Sequence, residues 1–337
     1  MRRFTTILLG ILMVSGVGCT QKSDQAEEQS IVVYAGRSKS LVDATFEKFR
    51  EETGIQVEVR YASTSELAIA LAEEGEATRA DIFWAQDAGA LGSVSAAGML
   101  ELLPEDVQAA VPDHFRSQSG DWIAVSGRAR TLAYSPEHTK GETLPSSVFD
   151  LTSPQYKDRV GWAPLNASFH SFVSAMRTLH GDEITREWLV DMKSNGAKSF
   201  SNNSSIVRGI ADGEVDVGLP NHYYLLRFKN EDADFPVEQT FFSQGDAGNL
   251  LNIAGVGILR TSESKGAALS FVRFLLSTEM QSFFVETTFE YPVTDSAAGP
   301  TGMTSAESLE SLRPSIDLNA LRDLDATMRM LRDANIL

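Results

Sequence analysis

Cysteine is almost absent from this sequence, since its 337 residues contain a single one, Cys19. One thiol forms no internal disulfide and cannot supply the several thiolates of a structural zinc site. Histidine is also scarce, and none of the five histidines has the HExxH spacing of a zinc enzyme. The chain likewise has no GxGxxG after a strand, no phosphate-binding P-loop and no nucleophile elbow. These absences argue against a zinc protein, a nucleotide-binding protein and a hydrolase.

Positive charge is in short supply as well. The chain has 29 Lys and Arg against 46 Asp and Glu, which gives a formal net charge of −17 at pH 7. A surface of that sign repels the phosphate backbone of nucleic acid, so we expect no nucleic-acid partner. The hydrophobic content of 42% is ordinary for a soluble globular protein, and the length is sufficient for two domains.

A largely apolar run covers residues 4–17 and follows a basic start at residues 1–3. The run is too short to span a bilayer comfortably, so residues 1–19 are interpreted as a secretory signal peptide. We therefore expect an exported protein that works in the periplasm or on the outer face of the membrane.

Cys19 lies at the end of this signal, directly after the small residue Gly18. The arrangement resembles a bacterial lipobox, in which the cysteine becomes the lipidated first residue, although Gly16 departs from that pattern. An ordinary cleaved signal is the alternative. Residues 20–30 are polar and show no periodicity, which is typical of a flexible tether. Lipidation of Cys19 would hold the protein at the membrane by this tether.

Strands alternate with helices near the start of the mature chain. Residues 31–34, 55–61 and 80–84 have strand character, and two amphipathic helices separate them. This alternation predicts a parallel, doubly wound sheet with a ligand crevice at the carboxyl ends of its strands. Later segments predict two strand pieces around Gly127 and an amphipathic helix from about Leu318 to Leu331.

Two neighbouring tyrosines stand in the middle of the chain, in the segment Asn221-His222-Tyr223-Tyr224. They follow the apolar run 215–219, which predicts a strand, and they precede an apolar helix start. The pair therefore falls at a strand end, where α/β proteins place ligands. Taken alone, the two tyrosines are better explained as core residues whose hydroxyls find hydrogen-bond partners.

A series of motifs runs through the chain in a fixed order. It consists of Val33-Tyr34-Ala35-Gly36-Arg37-Ser38, Glu52-Thr53-Gly54-Ile55, Glu73-Glu74-Gly75, Ala80-Asp81-Ile82-Phe83, Ser126-Gly127-Arg128-Ala129-Arg130, Trp162-Ala163-Pro164, Asn202-Asn203, Gly213-Glu214-Val215-Asp216-Val217-Gly218 and Asn221-His222-Tyr223-Tyr224. In this order the motifs closely resemble those of periplasmic ferric-ion-binding proteins, the substrate-capturing components of ABC iron importers. The resemblance covers roughly residues 31–293.

The resemblance implies an α/β fold of the two-lobed type II periplasmic-binding-protein class, with the ligand cleft between the lobes. We expect residues 31–130 plus about 250–302 to form the N-terminal lobe, and residues 131–249 plus about 303–337 to form the C-terminal lobe. It further implies a monomeric binding protein, not an enzyme, whose partner is the ABC permease of an iron importer.

The resemblance also maps the family's paired tyrosine ligands onto Tyr223 and Tyr224. Fe³⁺ is a hard cation that suits anionic oxygen donors, and a bound trivalent ion can deprotonate a phenol whose ordinary pKa is about 10. Two phenolates leave one positive charge, which a synergistic carbonate or phosphate would neutralise. By position, the family's anion site falls on Asn166, Ala167, Ser168, Asn203 and Asn221. Free N–H groups at the start of the helix after Asn166 give a physical reason for that placement.

The chain departs from the resemblance at two positions. Some family members have a histidine after the first strand and a glutamate after the third, where this chain has Ser38 and Gln86. Neither replacement is a charged donor, so anion or water ligands would complete the coordination shell, or Tyr34 at the end of the first strand would do so. The alternative for Tyr34 is a strand-end aromatic that packs against the hinge.

Four more polar residues lie in the matched motifs. Arg37, Arg128 and Arg130 would hold the anion or close the cleft, and salt bridges between the lobes explain them equally well. His222 stands beside the tyrosines, and we expect it to support the site rather than to bind the metal.

Three functions follow from the sequence. The first is capture of ferric iron, with Tyr223, Tyr224 and an anion as ligands. The second is binding of another small solute on the same fold, namely an oxyanion, a polyamine or a sugar. The third is a secreted enzyme or sensor domain that uses the same cleft.

Overall fold

The computed structural model of the chain describes residues 29–302 and 304–337. The strands are β1 (Ser30–Ala35), β2 (Gln56–Tyr61), β3 (Ile82–Ala85), β4 (Ile123–Ala129), β5 (Leu132–Tyr134), β6 (Val160–Trp162), β7 (Lys198–Ser199), β8 (Val217–Gly218), β9 (Glu238–Thr240) and β10 (Leu251–Ile258). The helices are α1 (Lys39–Thr53), α2 (Thr64–Glu74), α3 (Ala88–Ala96), α4 (Glu105–Gln108), α5 (Ala167–His180), α6 (Asp182–Ser194), α7 (Asn203–Ala211), α8 (His222–Glu231), α9 (Lys265–Leu275), α10 (Thr278–Phe283), α11 (Ala306–Leu312) and α12 (Leu324–Asp333).

The predicted signal peptide, the lipidation at Cys19 and nearly all of the predicted tether lie outside the described residues. The predicted tether extends one residue too far toward the C-terminus, because Ser30 already belongs to β1 and pairs with Gln56. Between residues 29 and 337, Met303 apart, no helix is both long and apolar enough to cross a membrane.

The first sheet has the strand order β2-β1-β3-β10-β4. β1 is parallel to β2 and β3, as the alternation of strands and helices predicts. β10 is antiparallel to both β3 and β4, so the parallel arrangement predicted from the first three strands does not extend to the whole sheet. All eight residues of β10 are buried, and this apolar strand returns late in the chain to fill the centre of the sheet.

The second sheet has the order β7-β6-β8-β5-β9 and is also mixed. β6 is parallel to β7 and β8, whereas β5 is antiparallel to β8 and β9. The strands of the first sheet come from residues 30–129 and 251–258, and those of the second from residues 132–240. This distribution supports the predicted lobe boundaries near residues 130 and 250, which stay a prediction.

The break between the two predicted strand pieces lies after Ala129 rather than at Gly127, and there the chain passes from the first sheet to the second. Gly127 lies inside β4, and its N–H donates to the carbonyl of Tyr291 at 2.7 Å. A Cβ atom on Gly127 would lie 3.2 Å from the Cβ of Tyr291. Close approach of a neighbouring backbone, rather than a turn, therefore explains this glycine.

The C-terminal region predicted as one continuous helix from Leu318 to Leu331 consists of two segments. A 3₁₀ turn at Leu318–Arg322 contacts α3 and α5, and α12 then packs against α5 and α6. Asp323 separates the two segments because its carboxylate accepts the Ala326 N–H at 3.3 Å and begins α12.

Candidate metal centre

Tyr223 and Tyr224 lie side by side in the first turn of α8. Their ring centroids are 4.3 Å apart and the ring planes differ by 30°. Asn221 precedes the helix in an extended conformation, and its N–H donates to Asn203 Oδ1 at 3.2 Å. Tyr223 is only 2% exposed, and Tyr224 is partly exposed. The start of α8 therefore presents two adjacent phenols, one buried and one partly open to solvent.

Burial raises the pKa of Tyr224 well above its ordinary value, and the neighbouring Tyr223 raises it further. Arg128 and Arg227 act in the opposite direction because a cation stabilises a phenolate. The Tyr224 phenol is therefore protonated near neutral pH. A cation that binds it as phenolate must displace this proton, which requires a high charge density.

Arg37 is buried beside the tyrosines and forms an ion pair with Glu290. Arg37 Nη2 donates to Glu290 Oε1 at 2.7 Å, and the Ser126 hydroxyl donates to Glu290 Oε2 at 2.6 Å. Burial would lower the pKa of Arg37, but Glu290 and the tyrosine pair outweigh it and raise that pKa. Glu290 lies within the predicted N-terminal lobe, so this salt bridge does not join the two lobes as defined above.

Arg130 joins the end of the first sheet to the second lobe. Its guanidinium donates to the carbonyl of Leu219 at 2.5 Å and to the carbonyl of Ser168 at 2.8 Å, and it lies 4.8 Å from the ring centroid of Phe172. Burial lowers the pKa of Arg130 to about 9, and the like charge of Arg128 adds to this effect. Hydrogen bonds to carbonyl groups, not a salt bridge, make this connection.

The predicted anion residues converge through hydrogen bonds. Asn166 precedes α5, and its Oδ1 accepts the Ser168 N–H at 2.9 Å and the Ser168 hydroxyl at 2.7 Å. Asn203 Nδ2 donates to Ser168 Oγ at 3.5 Å, and Asn203 Oδ1 accepts the N–H of Asn221 at 3.2 Å. Ala167 is the first residue of α5. The five positions thus bring the starts of α5, α7 and α8 together, and Asn221 leads directly to the tyrosines.

Tyr34 does not join this group. Its hydroxyl donates to Glu74 Oε2 at 2.8 Å and accepts a hydrogen bond from Arg60 Nη1 at 3.0 Å. The guanidinium of Arg60 also lies 4.8 Å from the centroid of the Tyr34 ring. These contacts hold the phenol against β2 and α2, so the structure argues against Tyr34 as a ligand and against its packing on the hinge.

Ser38 and Gln86 lie at the carboxyl ends of β1 and β3, as expected. Ser38 is exposed and precedes α1, while the backbone N–H of Gln86 donates to Thr64 Oγ1 at 3.0 Å. Both positions therefore follow the carboxyl edge of the first sheet.

His222 is fully buried, and both of its ring nitrogens are occupied. Nε2 donates to the carbonyl of Phe289 at 2.8 Å, and Nδ1 accepts the N–H of Ala129 at 3.2 Å. Burial lowers the pKa of His222 to about 4, so the ring is neutral at physiological pH. His222 ties the start of α8 to the end of β4, in agreement with a supporting role.

Sequence reasoning missed three polar residues of this region: Glu290, Asn252 and Arg227. Glu290 stands in the apolar run from Phe289 to Val293, and a lone acid in such a run is the signal that indicates a buried ion pair. Asn252 and Arg227 carry no comparable local signal.

A family model described as bacterial extracellular solute-binding protein matches residues 77–310. The chain belongs to this family. The major ferric iron-binding protein of Neisseria meningitidis serogroup A is 30% identical over 313 residues, which cover 91% of this chain and 93% of that protein. The Fe(3+)-binding periplasmic protein of Serratia marcescens is 29% identical, with coverage of 92% and 91%. The crystal structure of iron-bound HitA from Pseudomonas aeruginosa matches with a TM-score of 0.85 at 29% identity and covers 91% of this chain and 99% of that one.

These relatives confirm the resemblance that the motifs indicate, and they confirm the two-lobed type II fold. The family consists of solute-binding proteins, so this member is a binding protein rather than an enzyme. Its relatives also support an extracytoplasmic location.

Proposed function

We propose that this solute-binding protein captures ferric iron in its cleft and delivers it to the permease of an ABC importer. The observation that carries the proposal is the adjacent pair of phenols at the start of α8, Tyr223 and Tyr224. Phenolate oxygens are hard donors that suit Fe³⁺, and relatives that align over nine tenths of the chain are named for ferric iron. The periplasm is the compartment in which this delivery takes place.

A carbonate or phosphate completes the proposed site. Two phenolates leave one positive charge on Fe³⁺. The pocket formed by Asn166, Ser168, Asn203 and Asn221 contains amide and hydroxyl groups that hydrogen-bond to one another, and these groups would turn donors toward the anion when it binds. The first N–H groups of α5 add the favourable end of the helix dipole. With Ser38 and Gln86 as uncharged neighbours, oxygen atoms of the anion or of water fill the remaining coordination positions.

The proposed route of delivery includes the membrane anchor. A lipid on Cys19 and the tether that precedes Ser30 would keep a monomeric protein close to the permease in the membrane. Mass spectrometry of the mature N-terminus tests this anchor, and an unmodified chain that begins beyond Cys19 contradicts it.

An oxyanion is the second candidate for the cargo, because three buried arginines, Arg37, Arg128 and Arg130, interact electrostatically with the tyrosine pair. Visible absorption spectroscopy separates the two candidates. Addition of ferric iron to the iron-free protein should produce a phenolate-to-iron charge-transfer band with a stoichiometry of one iron per chain. A protein that binds phosphate tightly but gives no such band would be an oxyanion carrier.

We expect ferric iron to bind at least about tenfold more weakly when carbonate and phosphate are removed from the buffer, because the charge-assisted hydrogen bonds of the anion are then lost. The variant Asn166→Asp should weaken ferric binding in the same way, since aspartate also begins a helix but repels an anion. Competition with a coloured chelator measures both affinities. Equal affinity with and without the anions would contradict the pocket.

Arg227 should strengthen iron binding through its contacts with the tyrosine pair. Its guanidinium lies 5.4 Å from the centroid of the Tyr223 ring, and its charge favours the phenolate form of Tyr224. We expect Arg227→Gln to weaken ferric affinity roughly threefold to tenfold, which corresponds to about 1 kcal/mol, and to shift the charge-transfer band. Arg208→Gln is the control, because Arg208 belongs to α7 and lies 5.0 Å from the ring of Phe228, an aromatic residue of α8 that is not a proposed ligand. Equal effects of the two substitutions would refute the role of Arg227.

A further inference from the structure

The C-terminal segment that precedes α12 touches both lobes. α3 follows β3 and belongs to the first lobe, whereas α5 follows β6 and belongs to the second. The 3₁₀ turn Leu318–Arg322 packs against both of these helices, and α12 then continues along α5 and α6. Leu318 and Leu321 are buried in this contact region. The segment therefore connects the lobes in addition to the two chain crossings, which lie after β4 and before β10.

The first lobe holds the segment by two hydrogen bonds. Ser93 Oγ of α3 donates to the carbonyl of Arg322 at 3.1 Å. Gln118 Nε2 donates to Asp317 Oδ2 at 2.8 Å. The two bonds lie at the two ends of the 3₁₀ turn, so they fix the turn along α3.

Two glycines of α3 let the turn lie directly on the helix. A Cβ atom on Gly89 would lie 2.8 Å from the carbonyl oxygen of Leu321, and one on Gly92 would lie 3.1 Å from the Cβ of Arg322. Both distances are shorter than ordinary van der Waals contact. Alanine is a better helix former than glycine, so the helix by itself does not explain these residues. Close approach of the C-terminal segment does.

The second lobe holds the residues that follow directly. Arg177 Nη1 of α5 donates to the carbonyl of Asp323 at 3.1 Å and to Thr327 Oγ1 at 2.9 Å. Ser174 Oγ and Thr327 Oγ1 are also at hydrogen-bond distance, 2.7 Å. The carbonyl of Arg322 is thus bound by the first lobe and that of the next residue by the second. The segment passes from one lobe to the other at Asp323, which lies between the 3₁₀ turn and α12.

The two lobes lie close together in this structure. Arg37 of the first lobe is 3% exposed and interacts electrostatically with Tyr223 and Tyr224 of the second. A rotation of the lobes about the two chain crossings would move α3 relative to α5. Because the C-terminal segment is bonded to both helices, such a rotation must break its contacts on one side.

We propose that residues 317–323 form a clasp that holds the lobes in this closed arrangement and separates from α3 when they open. Release on the α3 side is favoured because α12 continues the segment and is fixed to α5 by Arg177 and to α6 by Lys193, whose Nζ donates to the carbonyl of Asn335 at 2.6 Å. The clasp requires only the two-lobed fold, so it does not depend on the identity of the cargo.

A disulfide between the clasp and α3 tests the proposal in the iron-free, full-length chain. Cys19→Ser removes the single native thiol. Gly92→Cys and Arg322→Cys then place sulfur on Cβ positions 3.1 Å apart, near the roughly 3.5–4.5 Å that a disulfide requires. We expect small-angle X-ray scattering to give a smaller radius of gyration for the oxidised than for the reduced protein. The pair Ser174→Cys and Thr327→Cys is the matched control, because it links α12 to α5 within the second lobe and its oxidation should change nothing.

Gly89→Ala provides a second check without a thiol. Its Cβ would press on the carbonyl of Leu321 while alanine favours the helix, so the clasp should weaken and α3 should not. Gly266→Ala in α9 is the control, because a Cβ there meets no atom within 4 Å. We expect Gly89→Ala alone to enlarge the iron-free protein and to release bound iron to a chelator about fivefold to tenfold faster, since less of it is closed.

Equal radii for the oxidised and reduced clasp disulfide, together with equal behaviour of Gly89→Ala and Gly266→Ala, would overturn the clasp. If ferric iron gives no charge-transfer band while the disulfide still keeps the iron-free protein compact, the proposed function fails and the clasp stands.

Discussion

Simultaneous replacement of Tyr223 and Tyr224 by phenylalanine should abolish both the visible charge-transfer band and tight ferric binding. The phenol oxygens at the start of α8 become hard anionic donors when iron displaces their protons, and phenylalanine keeps the adjacent rings that lie 4.3 Å apart. The fold should therefore survive. Absorption spectroscopy and chelator competition measure the loss, and circular dichroism verifies the fold.

Tyr34→Phe is the matched control for this experiment. Its hydroxyl binds Glu74 and Arg60, so its removal should leave the iron band and the ferric affinity unchanged. Stoichiometric iron in the double variant would contradict the assignment of the ligands. Loss of iron in Tyr34→Phe would instead show that the closed, iron-loaded state recruits this phenol.

Glu290→Gln should lower the free energy of unfolding by about 3–5 kcal/mol, the usual cost of removing one partner from a buried ion pair. Arg37 and Glu290 have side-chain exposures of 2% and 0%, so solvent does not compensate the charge that remains on Arg37. Urea denaturation measures the change. Glu279→Gln is the control, because its ion pair with Lys48 is exposed and should contribute little. Equal small effects of both substitutions would show that Arg37 is solvated.

The effect of Glu290→Gln on the free energy of unfolding should depend on pH. Burial would raise the pKa of Glu290, but Arg37, Arg128 and the Ser126 hydroxyl outweigh it and lower that pKa. A carboxylate with a lowered pKa contributes stability above its unfolded-state pKa and loses it as the pH falls through the folded-state value. The stability difference between wild type and Glu290→Gln should therefore shrink in acid.

Local chemistry allowed much of the site to be predicted from the sequence. The apolar run before Asn221 and the helix after it place Tyr223 and Tyr224 at a strand end, and Asn166 does begin α5. Helix starts, strand ends and turns depend on residues a few positions apart, so the order of residues is sufficient to locate them.

Contacts between distant segments were not accessible in this way. β10 entered the first sheet antiparallel because packing rather than local periodicity selected this arrangement. Tyr34 has the alternation of an ordinary strand end, and only its position opposite Arg60 turned its phenol toward α2.

By itself, the sequence determined the two-lobed family and the position of the tyrosine pair at the start of a helix, because these depend on ordered local motifs. The tertiary structure alone decided which charges meet. Arg37 and Glu290 are 253 positions apart, and Arg128 faces Asn252 only because β10 inserts beside β4. The free energy of such polar contacts depends on burial and geometry, which no local pattern encodes.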